Sequence, residues 1–265
     1  MGNTIIYILI FIIGTLFGSF STLAVYRLPL HQDITHKRSY CPNCSHKLKF
    51  LDMIPILSYL FLGGKCRYCK NKIRIRYLLL EILTGTIFLL FTLSLKINIY
   101  NIHIDKIAYL IVGILYLSGI IIIAGIDKEK RQINKPVLVY EIVILSIYMI
   151  YLYIVEKANI YRYVIYLMTI LVLFLLDTIM LKKENKNNYT IHIVILSIIQ
   201  AIFTGGYEFL ISTIIGFILI FIKTLIMKIN NNVNKNCKIL PIGYYMIIGN
   251  IITIIIINYF AIMGD

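Results

Sequence analysis

Residues 39–76 read SYCPNCSHKLKFLDMIPILSYLFLGGKCRYCKNKIRIR and carry Cys41, Cys44, Cys66 and Cys69, two CxxC pairs with 21 residues between them. The stretch is basic, whereas most of the chain on either side is apolar. A basic, cysteine-paired loop fixed between apolar helices sets the expectation for fold, orientation and compartment.

Hydrophobic residues make up 60% of the chain and the mean hydropathy is +0.86, which excludes an ordinary soluble domain. Its 265 residues provide for several spans of the roughly 20 residues needed to cross a bilayer. The net charge of +14 raises nucleic acid as a partner. With no basic tail and no RNA-binding aromatic signature, the charge instead reads as loop lysines and arginines facing the cytoplasm, and no nucleic-acid partner is expected. The first apolar run, 4–25, lacks a basic leader and a small-residue cleavage site, so it reads as a retained transmembrane helix.

Hydropathy places spans at 4–25, 77–95, 107–126, 136–155, 163–181, 191–203, 209–227 and 241–262. The sixth is short because Gly205-Gly206 interrupts it. Loops 27–76, 127–135, 182–190 and segment 223–238 hold 22 Lys and Arg against four in the alternate connections. That asymmetry puts the cysteine loop in the cytoplasm and both termini outside. The expectation is an all-α polytopic membrane protein of about eight transmembrane helices with a cytoplasmic cysteine-rich loop domain. It divides into 1–85, holding the first helix and the loop, and a helical domain over 86–265. No internal repeat is evident, and Asn230 to Asn236 read as a polar loop.

Cytoplasmic thiols stay reduced, so the four cysteines read as a zinc site rather than two disulfides. Four thiolates leave no open coordination position, which makes the metal structural. Lys47, Lys65, Arg67 and Lys70 offset the thiolate charge. Between the pairs, 52–60 is too short to span and reads as a helix packed in the loop or on the membrane face, with Gly63-Gly64 turning the chain back. Cys237 stands alone and reads as incidental.

These residues resemble the type IV prepilin peptidases, bacterial inner-membrane aspartic proteases of the GxGD type that are also N-methyltransferases. The resemblance runs from Gly18-Ser19-Phe20 and Tyr26-Arg27-Leu28-Pro29 through CPNC, Ile54-Pro55-Ile56-Leu57-Ser58-Tyr59 and CRYC. It then takes in Ile75-Arg76-Tyr77 and Glu81-Ile82-Leu83-Thr84-Gly85. Further on, Gly125-Ile126-Asp127 with Ile133-Asn134 is similar to the first catalytic motif, with Asn134 where proline is usual. Leu240-Pro241-Ile242-Gly243 is similar to the start of the last helix. The resemblance implies a multi-pass protein of the bacterial cytoplasmic membrane that cuts the leader of a type IV prepilin or pilin-like precursor within the lipid bilayer's cytoplasmic face. It also implies methylation of the new N-terminus from S-adenosylmethionine, for which no Gly-rich fingerprint stands in the sequence.

A dyad of two carboxyl groups is the chemical requirement, since one must hold a proton while the other accepts one from water. Asp127 matches the first. The second belongs to a GxGD motif that the chain lacks: its expected place falls near Tyr189-Thr190-Ile191-His192, and no Asp or Glu lies between Asn185 and Tyr207. Asp177, near the cytoplasmic end of the fifth span, is the candidate replacement, against a plain interhelical polar contact. Glu141 is a weaker candidate, Glu184 reads as a solvated loop residue, and His192 reads as a proton shuttle or a polar helix start. Two functions follow: a prepilin peptidase using Asp127 and Asp177, or a catalytically impaired relative acting as a non-proteolytic prepilin-binding or assembly scaffold. A transporter is a distant third.

Overall fold

Apolar runs in a bilayer must satisfy their own N–H and C=O groups, and each run here folds as a helix. The computed structural model describes residues 2–36, 38–97, 104–155, 161–184, 189–229 and 240–261. The helices are α1 (Gly2–Arg27), α2 (Leu57–Phe61), α3 (Arg76–Ser94), α4 (Ile104–Lys130), α5 (Lys135–Val155), α6 (Tyr161–Glu184), α7 (Tyr189–Thr204), α8 (Gly206–Ile229) and α9 (Ile242–Ala261). Every expected span coincides with one of them. Six are long and apolar enough to cross a membrane, while Tyr163–Asp177 and Tyr189–Thr204 are shorter apolar stretches. No strand occurs among the described residues, only the isolated bridges Tyr40–Lys47 and Lys65–Lys72.

The chain forms two compact units, Met1–Leu110 and Ile111–Asp265. In the first, α1 packs along α3 at backbone contact. A Cβ on Gly14 would come within 2.8 Å of the Gly85 Cα, and one on Gly18 within 2.7 Å of the Glu81 Cα. This Gly-x-x-x-Gly spacing lets the two helices approach where lipid offers no hydrophobic drive to join them. The expected helix between the cysteine pairs is present but reduced to the five residues of α2. Gly63 and Gly64 turn the chain back at φ +58° and +67°.

The two CxxC turns repeat one another, a relation the sequence reading did not find. Ser45 N–H donates to Cys41 and Lys70 N–H to Cys66, while Cys41 and Cys66 donate to His46 and Asn71. Ser45 and Lys70 both take positive φ. The likeness resides mainly in backbone conformation: apart from the cysteines and the closing Lys47 and Lys72, the side chains at matching places differ.

In the second unit, α8 and α9 pack closely through Gly216 and Gly249. Gly205, at φ +88°, ends α7 and starts α8. Glu184 belongs to the last turn of α6 rather than to a loop, since Leu181, Lys182, Lys183 and Glu184 are all good helix formers. Cys237 and 230–236 lie outside the described residues.

Candidate active site and cysteine centre

Asp127 lies near the C-terminal end of α4 and is fully buried. Its Oδ1 accepts from the Tyr189 hydroxyl at 2.8 Å, and its Oδ2 accepts from the Tyr244 N–H at 2.8 Å. Tyr189 opens α7, and its hydroxyl also accepts from Ile242 N–H at 3.1 Å. The first N–H groups of a helix have no partner within it, so the start of α9 offers them to Asp127 and Tyr189. Pro241 precedes this turn without an N–H of its own. A Cβ on Gly243 would lie 3.0 Å from the Asp127 Oδ2, so glycine keeps the carboxyl against the helix end. The Gly243 and Asp127 motifs, 116 residues apart in sequence, are thus two halves of one contact.

Asp177, on α6, is also fully buried. Its Oδ2 lies 2.5 Å from the Lys135 ammonium at the start of α5 and 3.1 Å from His192 Nε2 on α7. His192 is 3% exposed, so it is not a solvated helix start. Tyr189 and His192 are three residues apart, which puts them on one helix face about 5–6 Å apart at Cβ. One turn of α7, where the sequence places the missing motif, therefore touches both aspartates. Glu141 is buried as well but takes no part in this arrangement. Sequence reasoning missed Lys135 and the roles of Tyr189 and Tyr244. The first is one basic residue among four in its loop, and the others are ordinary tyrosines in a chain holding 21.

In the first unit, the sulfurs of Cys41, Cys44, Cys66 and Cys69 all lie within 4.8 Å of one another. The Cys41 and Cys69 sulfurs are 3.9 Å apart. Tetrahedral zinc at about 2.3 Å from each sulfur requires an S–S separation of about 3.8 Å, so the cluster fits such an ion. The Cys69 amide, opposed by burial, brings the Cys66 thiol down to about 7. At Cys69 the Asn71 amide acts downward, but burial and the Cys66, Cys44 and Cys41 sulfurs outweigh it and push the thiol up to about 11. Thiols crowded this way ionise one after another, and a bound cation would release the remaining protons. Arg67 is held to Asp52 at 2.6 Å beside the second pair.

The loop is anchored to the helices by Glu81. Its carboxylate on α3 accepts the Ile56 N–H at 2.8 Å. Ile56 has φ +62° and ψ −55°, and Leu57 N–H donates to Pro55 C=O at 2.6 Å, a strained γ-turn for a β-branched residue. Around it opens a cavity of about 1180 Å³, lined by Tyr26, Tyr40, Tyr59, Tyr77, Glu81 and several arginines and lysines.

Residues 12–95 match the family model of the bacterial peptidase A24 N-terminal domain, which covers most of α1, the cysteine loop and α3. The chain is similar to proteins named prepilin leader peptidase/N-methyltransferase. The Vibrio cholerae relative is 41% identical over 86 residues, which is 29% of this chain and 34% of the relative. The Myxococcus xanthus relative is 43% identical over 81 residues, 31% of this chain and 24% of the relative. The Bacillus subtilis relative is 33% identical over 132 residues, half of each chain. The aligned region thus spans half or less of each relative's length. No solved structure matches the chain. The matches support the type IV prepilin peptidase family, and with the apolar helices they support a multi-pass bacterial membrane protein.

Proposed function

We propose that this protein is a prepilin leader peptidase of aspartic type, with Asp127 and Asp177 as its two carboxyl groups. The observation that carries the reading is the pairing of two buried aspartates with one turn of α7. In such a site one carboxylate takes a proton from the attacking water while the other carboxyl gives one to the departing peptide. Tyr189 and the α9 amide hold Asp127, and Lys135 and His192 hold Asp177, so both are fixed before substrate arrives. The basic loops orient this end toward the cytoplasm. The substrate is a pilin-like precursor whose apolar helix lies in the bilayer and whose leader stays on the cytoplasmic side.

In the same reading, the four cysteines hold a structural zinc that shapes the loop. The cavity beside Glu81 takes S-adenosylmethionine, whose sulfonium supplies an activated methyl group for the new N-terminal amine. Its volume is of the order that holds a cofactor, roughly 300–1,000 Å³; its tyrosines offer faces for the adenine, Asp52 and Glu81 offer carboxylates for the sulfonium and amine, and its arginines and lysines offer cations for the ligand's carboxylate.

The test is cleavage of a co-expressed prepilin in membranes by the wild type, Asp127→Ala and Asp177→Ala. Loss of cleavage in both inserted variants supports the dyad. Cleavage by Asp177→Ala moves the second acid elsewhere. A wild type that never cuts a prepilin from its own organism leaves the non-proteolytic scaffold.

A further inference from the structure

Beneath the aspartates lies a second buried polar group that the proposed reaction does not use. Glu141 on α5 is fully buried; the Ile120 amide lies near its carboxyl, but neither oxygen forms a well-aligned hydrogen bond among the described residues. The carboxyl presses against Gly119 of α4, where a Cβ would collide with it. Among the described residues, Gln200 on α7 is fully buried with both amide atoms unpartnered, and Asn250 on α9 is fully buried with its Nδ2 unpartnered.

Two contacts set the register that brings these residues to one level. Tyr189 meets Asp127 at one end of α7, and Phe203 stacks on Tyr116 at the other, with ring centroids 4.0 Å apart. Helices α4 and α7 run antiparallel between those points, and Gln200 stands one turn before Phe203 as Gly119 stands one turn after Tyr116, which turns Gln200 toward the level of Gly119 and the Glu141 carboxyl. Asn250 joins the same level through its Oδ1, which accepts from the Tyr116 hydroxyl at 2.8 Å. Between this layer and the aspartates stand Ile123, Leu138, Ile195, Leu196 and Ile247, all fully buried.

Polar groups buried away from water without partners are costly, so each of these calls for a partner. The unsatisfied atoms include amide N–H donors as well as oxygens. A metal cation would satisfy only the oxygens, and an apolar ligand neither. Water both donates and accepts, and it serves Glu141 in either protonation state.

We propose that Glu141, Gln200 and Asn250 form an internal water-binding site at Gly119, sealed from the aspartates by the apolar layer. It is independent of the peptidase reading. Its water ties α5, α7 and α9 in one register, since each contributes a polar group to it, and α4 is joined through Gly119 against Glu141 and Tyr116 on Asn250.

Radiolytic hydroxyl labelling of the full chain in lipid nanodiscs tests this, because radicals born from a held water modify the side chain beside it even when bulk solvent is excluded. Tyr116 should be labelled several-fold faster than Phe88, a ring equally buried in the first unit. Glu141→Met and Gln200→Leu should each lower the Tyr116 label toward the Phe88 rate. Equal labelling of Tyr116 and Phe88 in the wild type overturns the proposal without any variant having to fold. Undiminished labelling in folded variants also overturns it. A melting midpoint raised by sodium or potassium over choline in the wild type but not in Glu141→Met would assign the oxygens to a cation instead.

Discussion

Tyr189 and His192 stand one turn apart on α7, and each is hydrogen-bonded to a different buried aspartate, Asp127 at 2.8 Å and Asp177 at 3.1 Å. In the resembling family this is the place of an aspartate. Here the turn carries an aromatic hydroxyl and an imidazole, and the buried carboxyl beside the imidazole belongs to α6.

Tyr189→Phe removes one hydroxyl and little volume. A hydrogen bond to a charged group contributes about 1.5–3 kcal/mol, and each 1.36 kcal/mol is about tenfold in rate. Prepilin cleavage in proteoliposomes should therefore fall about 10- to 100-fold, with the melting temperature changed far less. An unchanged rate would remove Tyr189 from the site.

Lys135→Met takes away the ammonium beside Asp177. Breaking a buried pair on one side costs about 3–5 kcal/mol, and the lower part of that range applies because the lysine side chain keeps 32% of its surface exposed. Adding Asp177→Leu should recover most of the loss, since no lone carboxylate is then buried. Thermal melts of the single and double variants in detergent measure this; a double variant no more stable than Lys135→Met would mean that the pair does not act as a unit.

Metal analysis of the purified protein should find one zinc per chain. Serine at any of Cys41, Cys44, Cys66 or Cys69 should reduce zinc retention in dialysis against a chelator, because a three-thiolate site binds more weakly. Cys237→Ser should keep full occupancy. Zinc retained undiminished in all four single variants would place the metal elsewhere.

Gly18→Val forces a side chain into the Glu81 backbone, and overpacking of this kind costs about 1–3 kcal/mol. Gly206→Ala is the control, as nothing lies within 4 Å of a Cβ there. The first should lower the melting temperature clearly and the second should not. Equal melts would mean that α1 and α3 separate without loss of stability.

The sequence by itself determined the helices and much of the chemistry available to them. Hydropathy and chain length are sums over neighbours in the chain, so the spans, the short seventh helix and the turn at Gly63-Gly64 were legible. So were the four cysteines, whose spacing is local to two turns. Asp127 stood out as a candidate through its neighbours, and Asp177 through the rarity of a carboxyl in an apolar run; the structure buries both. Only the tertiary structure decided which groups meet. Lys135 reaches Asp177, Tyr189 reaches Asp127, and Glu141 comes to rest on Gly119 because helices α4 to α9 take particular rotations and registers. Those are set by close packing at glycines and by polar groups that must find partners away from water. No periodicity within a single helix encodes them.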